Sequence, residues 1–183
     1  KVNQHSSVIK AMQASQDEGR ETCGAAGLEA GSKAELLAIL PIARPGVPIL
    51  CNGFKDVAYI EMALRAQRLG LNVHIIIEKP TEFQLAIDAG HRLGVEPKLG
   101  VRVKLAARGS GHWEATGGNK SKFGLSVTEL LSGIQRLRDC EMEQCVQLLH
   151  FHLGSQITDV RRLKAAVIEA TRIYADLKTS GLP

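Results

Sequence analysis

Two imidazoles two residues apart, His150 and His152, close the apolar run Val146 to Leu153, and Gly154-Ser155-Gln156 follows. On a strand such a pair shares a face. Near neutral pH an imidazole can move protons, flank a ligand or bind a metal. At the other end, Lys1 heads the run Lys1-Val2-Asn3-Gln4, before Ser6-Ser7 and Val8-Ile9. A lysine amine can carry a carbonyl cofactor as a Schiff base, although most lysines are solvated surface charges. Three more polar residues sit at or beside short apolar runs: Glu29, Asn52 and Arg102. Glu29 reads as a surface carboxylate or as a site acid. Arg102 reads as a snorkelling edge residue or as a fixed donor beside a phenolate-like oxygen.

The elements that must position these residues alternate. A helix starts at Ser6, and a polar loop over 17–24 ends it. Ala25 to Glu29 reads as a short buried strand, and Ser32-Lys33-Ala34-Glu35 as a capping box before Leu36, Leu37, Ile39 and Leu40. Ile49-Leu50-Cys51 is the next strand, Asp56 to Leu69 a helix stopped by Gly70, and Val73 to Ile77 a β-branched strand. Thr81-Glu82-Phe83-Gln84 reads as a second capping box, opening a helix that ends near Gly94. Leu99, Val101, Val103 and Leu105 alternate with Gly100, Arg102 and Lys104, the period of a strand. After a loop over 106–125, with Trp113 and the Gly/Lys content of a lid, come a third capping box (Ser126 to Glu129) and its helix. The strand Val146 to Leu153 and a helix from Thr158 to about Lys178 complete the pattern.

Five β-α units of this kind imply an α/β fold with a parallel sheet and right-handed crossovers. Sites in such folds form at the carboxyl ends of strands, where Glu29, Asn52, Arg102 and the histidines fall. Periodicity leaves a doubly wound sheet and a barrel both open. No G-x-G-x-x-G follows the first strand, and no G-K-[ST] follows Gly109-Ser110-Gly111 or Gly117-Gly118, which excludes the common nucleotide loops.

The chain has 183 residues, 44% apolar and 23% charged, with net charge +4, enough for a domain with a real core. Its basic residues are scattered and aromatics make up 4%, so a nucleic-acid surface is not expected. Cys23, Cys51, Cys140 and Cys145 form no C-x-x-C pair and read as reduced thiols. No run reaches the roughly 18 apolar residues of a membrane span, and a cytoplasmic or plastid setting is expected. A metal-dependent hydrolase built on His150 and His152 needs further ligands, which His5, His74, His91 and His112 are badly placed to supply. A non-catalytic barrel acting as a binding or regulatory module is a further alternative.

The chain resembles the biosynthetic arginine decarboxylases, in the alanine racemase-like, fold-type III class of pyridoxal phosphate enzymes. The resemblance rests on Lys1-Val-Asn-Gln4, Gly27-Leu-Glu-Ala-Gly-Ser-Lys33, Leu50-Cys-Asn-Gly-Phe-Lys-Asp56, Gly109-Ser-Gly-His-Trp113, Lys120-Ser-Lys-Phe-Gly-Leu-Ser126 and Leu148-Leu-His-Phe-His-Leu-Gly-Ser-Gln156. Relatives acting on ornithine or diaminopimelate share a sparser skeleton and remain alternatives.

The resemblance implies a partial (β/α)8 TIM barrel, about strands 2–6 with their helices. Residues 1–183 would be an incomplete pyridoxal-phosphate-binding barrel domain, with the remaining barrel and a C-terminal β-domain outside it. It implies Lys1 as the Schiff-base lysine, His152 stacked on the cofactor ring, Ser155 at the phosphate, Arg102 near the ring, Glu29 close to the Schiff base, and Glu35 and Lys122 on the pocket wall. It also implies pyridoxal 5'-phosphate as cofactor with Mg2+ as a second one, L-arginine as substrate, and a homo-oligomer with a shared active site. Five strands of eight leave two open edges, so the 183-residue chain alone is expected to be poorly stable and inactive.

Overall fold

The computed structural model describes residues 5–18, 27–106, 123–154 and 157–183. Helices and strands alternate along the chain: α1 (Ser6–Glu18), β1 (Leu28–Ala30), α2 (Lys33–Ile39), β2 (Pro48–Cys51), α3 (Val57–Arg68), β3 (Asn72–Ile77), α4 (Pro80–Leu93), β4 (Leu99–Arg102), α5 (Val127–Asp139), β5 (Val146–His150) and α6 (Val160–Thr179). The strands follow the sheet order β1-β2-β3-β4-β5, and the pairs β1/β2, β2/β3 and β4/β5 run parallel. A doubly wound sheet reverses its order at a switch point. This order does not reverse, which is the winding of a (β/α)8 barrel, and the five strands do not close on themselves. The chain divides into two compact units, Lys1–Ile75 and Ile76–Pro183.

In the first unit, β2 alternates half-buried Pro48 and Leu50 with buried Ile49 and Cys51. Ile49 and Cys51 share their buried face with Ala30, Val73 and Ile75, and α2 and α3 bury Leu36, Ile60 and Leu64. Asp56 caps α3 by accepting a hydrogen bond from Tyr59 N at 2.8 Å, and Gly70 turns the chain away at φ +89°.

In the second unit, Ile76, Ile77, Leu99 and Val101 of the strands and Phe83, Leu130, Ile134 and Leu137 of the helices are all buried. Close approach requires two glycines here. A Cβ on Gly100 would lie 2.5 Å from Ile76 Cδ1, and one on Gly133 would lie 2.1 Å from the Phe83 ring. Ser126 and Glu129 form the expected capping box of α5: Glu129 N donates to Ser126 Oγ at 3.3 Å and Ser126 N to Glu129 Oε2 at 2.8 Å.

Several expected boundaries move. α4 starts at Pro80, not at Thr81, because proline is pre-organised for the first helical position; Glu82 still reaches back, accepting from Lys79 N at 3.3 Å. Glu35 does not complete a box with Ser32. Its Oε2 accepts from Gly31 N at 2.6 Å, one residue earlier, while Ser32 Oγ accepts from Glu35 N at 3.2 Å. β4 ends at Arg102, with Val103 in an isolated bridge to Leu125, and β5 ends at His150. His152 therefore lies beyond the strand, and the shared-face argument for the two histidines does not hold.

Candidate functional site

In the first unit the site is built where β1 and β2 end. Glu29 is the middle residue of β1, paired in register with Leu50 and exposed. Ala30 O gathers two donors, Asn52 N at 2.8 Å and Tyr59 Oη at 2.7 Å. Gly53 has φ +75°, and a Cβ there would lie 2.2 Å from Gly31 O, so the loops after β1 and β2 touch backbone to backbone. Lys55, 2% exposed, donates to Gly53 O at 2.6 Å, and Lys33 bridges to Asp56 at 2.6 Å. Burial pushes the Cys51 thiol up to about 11, only partly offset by the nearby Tyr59 hydroxyl and the charge of Lys55, so it is a neutral packing group at physiological pH. Burial likewise raises the Tyr59 hydroxyl well above the usual phenol range. Asn52 is 6% exposed, and among the described residues its Oδ1 has no hydrogen-bond partner.

In the second unit the site is built where β3, β4 and β5 end. Glu78 follows β3 directly and is 3% exposed. Its Oε1 accepts from Arg102 Nη1 at 2.5 Å. Arg102, the last residue of β4, is thus a paired interior cation and not a snorkelling edge residue. The Arg102 guanidinium carbon lies 5.8 Å from the centroid of the Phe123 ring. The segment Phe123-Gly124-Leu125 is laced to both neighbouring strand ends. Gly124 N donates to Glu78 O at 3.2 Å, Leu125 N to Arg102 O at 2.7 Å, and Lys104 N to Leu125 O at 2.9 Å. His150 pairs in register with Arg102, and its carbonyl accepts from Val103 N at 2.9 Å. His152 is exposed just beyond the end of β5.

Of the expected site residues, Arg102 and His152 lie in the second unit and Glu29 and Glu35 in the first. One Glu35 oxygen is engaged by the loop backbone, which makes Glu35 a lock on the β1–α2 loop. Lys1, Lys122 and Ser155 lie outside the described residues. Glu78, Lys55, Tyr59 and Phe123 were missed. Glu78 carried the same signal that selected Glu29, an acidic residue closing an apolar strand. Lys55 and Tyr59 carried none, since a lysine or tyrosine beside a helix start is normally solvated or simply packed. Among the described residues no three His, Cys, Asp or Glu side chains come together to hold a metal, and no helix is long and apolar enough to cross a membrane.

The family model described as pyridoxal-dependent decarboxylase, pyridoxal binding domain, matches residues 1–183. Curated relatives include a biosynthetic arginine decarboxylase of Rhodopirellula baltica, 55% identical over 85% of this chain and 23% of its own length. That of Alkalilimnicola ehrlichii is 46% identical over 100% of this chain and 28% of its own length. The crystal structure of the biosynthetic arginine decarboxylase SpeA of Campylobacter jejuni superposes with a TM-score of 0.83 at 36% identity, covering 98% of this chain and 28% of that one. Diaminopimelate decarboxylase of M. jannaschii, with a TM-score of 0.71 at 22% identity over 98% of this chain and 40% of its own, shares the fold. The chain thus spans about a quarter of the length of the curated relatives it matches.

Proposed function

We propose a function that starts from membership: the chain belongs to the pyridoxal-binding domain family of the pyridoxal-dependent decarboxylases, and we read the whole protein as decarboxylating L-arginine to agmatine and CO2. The observation that carries the substrate is the identity of 46% to a biosynthetic arginine decarboxylase along the entire chain.

The residues present fit pyridoxal phosphate. Asn52 offers a buried acceptor that no donor among the described residues engages. Arg102 is anchored through Nη1, and among the described residues no hydrogen bond engages its other nitrogens. His152 offers an exposed imidazole at a strand end. Each is a group of a kind that suits one part of such a cofactor: a donor to the buried amide oxygen, a phenolic or anionic oxygen at the guanidinium, and an aromatic ring beside the imidazole.

When bound, pyridoxal phosphate supplies the electron sink that makes loss of CO2 from an α-carbon feasible. In this reading Lys1 supplies the amine that holds the cofactor, Ser155 binds its phosphate, and Glu29 and Arg102 set the charge around it. His152 flanks the ring and is suited to move the proton that replaces CO2 on the α-carbon. Lys122 belongs to the pocket wall. Agmatine would feed putrescine and spermidine synthesis, and the intact protein would act in the cytoplasm as a homo-oligomer sharing its active sites. Residues 1–183 alone would not release CO2.

The test is to add pyridoxal phosphate to the intact protein, reduce with borohydride, and map the labelled peptide. Label on Lys1, together with CO2 release from arginine in preference to ornithine and diaminopimelate, is expected. An unlabelled Lys1 overturns the cofactor assignment. Preference for another amino acid overturns the substrate.

A further inference from the structure

We infer that Glu78 and Phe123 are positioning residues that act on the cofactor through Arg102. The inference rests on the proposed function, because it needs a ligand for Arg102 to face. A guanidinium on the last residue of a short strand has several rotamers available, and a charge that wanders cannot hold a ligand at a fixed place. Three features remove that freedom here. The buried Glu78 carboxylate fixes Nη1 at 2.5 Å. The Phe123 ring lies 5.8 Å from the guanidinium carbon. The segment carrying Phe123 is sewn to the main chain of the two residues forming the ion pair: Gly124 N to Glu78 O at 3.2 Å and Leu125 N to Arg102 O at 2.7 Å.

Gly124 makes that stitch possible. Its φ is +93°, and a Cβ there would lie 3.3 Å from Arg102 O. The arrangement spends one Arg102 nitrogen on Glu78 and, among the described residues, leaves Nε and Nη2 to a ligand. A surface ion pair would not need this. The Arg102 side chain is 16% exposed and that of Glu78 2%, so the pair is desolvated and its geometry enforced.

The intact protein is titrated with pyridoxal phosphate, following the visible absorbance and the visible circular dichroism of the bound cofactor, with far-ultraviolet circular dichroism as a fold control. Glu78→Gln and Phe123→Leu are expected to weaken cofactor binding by roughly tenfold or more, the usual scale for losing a group that orients a ligand's direct partner, and to change the visible dichroism. Glu78→Asp should restore most of both signals. In an Arg102→Met background, Phe123→Leu should have no further effect, since it acts through the missing guanidinium. If Glu78→Gln fails to fold, Phe123→Leu and its effect in the Arg102→Met background decide the matter. Variants that titrate within twofold of the parent with unchanged dichroism, or effects that simply add to that of Arg102→Met, overturn the inference. A parent protein that takes up no pyridoxal phosphate would instead overturn the proposed function.

Discussion

The strand ends of the first unit are joined by close backbone contacts beneath an exposed Lys33–Asp56 ion pair, and those of the second by a buried ion pair. After β1 and β2, Gly53 presses on Gly31 O, while Asn52 N and Tyr59 Oη both donate to Ala30 O. After β3 and β4, Glu78 and Arg102 pair as ions, and a three-residue strap holds their main chain. Backbone contacts are fixed by shape and indifferent to salt, but they tolerate no added atom. An ion pair tolerates small shifts in shape, but half of it cannot be removed without stranding the other half. The difference follows what each end presents. The first offers a neutral acceptor, Asn52 Oδ1, which needs only a rigid frame. The second offers a cation, and a cation held inside needs a counter-charge before it can serve a ligand.

The largest effect should come from breaking the charge-built end. Arg102→Met leaves Glu78 buried and uncompensated, at an expected cost of about 3–5 kcal/mol in urea unfolding. Replacing both residues by apolar ones should recover much of that loss, which would establish that the cost lies in the stranded carboxylate and not in lost packing.

Gly53→Ala tests the shape-built end. The new methyl meets a backbone oxygen, which cannot turn aside as a side chain could, at a φ of +75° that disfavours alanine. About 3 kcal/mol of destabilisation is expected, with no dependence on salt. A salt-sensitive loss would mean that the two ends are less different than their contacts indicate.

The alkaline limb separates them further. Cys51 has a folded pKa raised from 9.0 to about 11, chiefly by burial. The folded state therefore keeps its proton where the unfolded state has lost it. The contribution is intact below about pH 9 and fades as pH rises from about 9 to 11, on the order of 2 kcal/mol in all. Comparing unfolding at pH 7.5 and 10.5, Cys51→Ala should lose less stability than the parent by about that amount. Equal losses would place no titrating thiol at this end.

How much of this was legible beforehand depended on whether a residue's task is local. Ser126 with Glu129, Asp56 before α3, and Gly70 and Gly94 after their helices act within a few residues, and their spacing announces them. Arg102 was visible as a polar residue in an apolar alternation. Its partner was not, because Glu78 lies 24 residues away and only strand adjacency joins them. The reading of His150 and His152 as one face failed for the opposite reason. A period of two was extended past the last paired residue of β5, where no ladder fixes the backbone. The capping box expected at Ser32 missed in detail because Glu35 found the Gly31 N–H within reach, and that at Thr81 because α4 begins one residue earlier, so that Glu82 and not Gln84 reaches back.

The smallest effect tests whether the first unit relies on its tyrosine hydroxyl or only on the ring. Tyr59 is 1% exposed, and its Oη donates to Ala30 O at 2.7 Å. In Tyr59→Phe that carbonyl still accepts from Asn52 N at 2.8 Å, so no acceptor is left stranded. The cost should be that of one ordinary hydrogen bond, about 1 kcal/mol. A loss of about 1 kcal/mol near pH 7.5 would mark an end held by geometry, with the Ala30 carbonyl still served by Asn52 N. A loss several times larger would mean that the hydroxyl, and not the Gly53–Gly31 contact, holds the loops after β1 and β2 together.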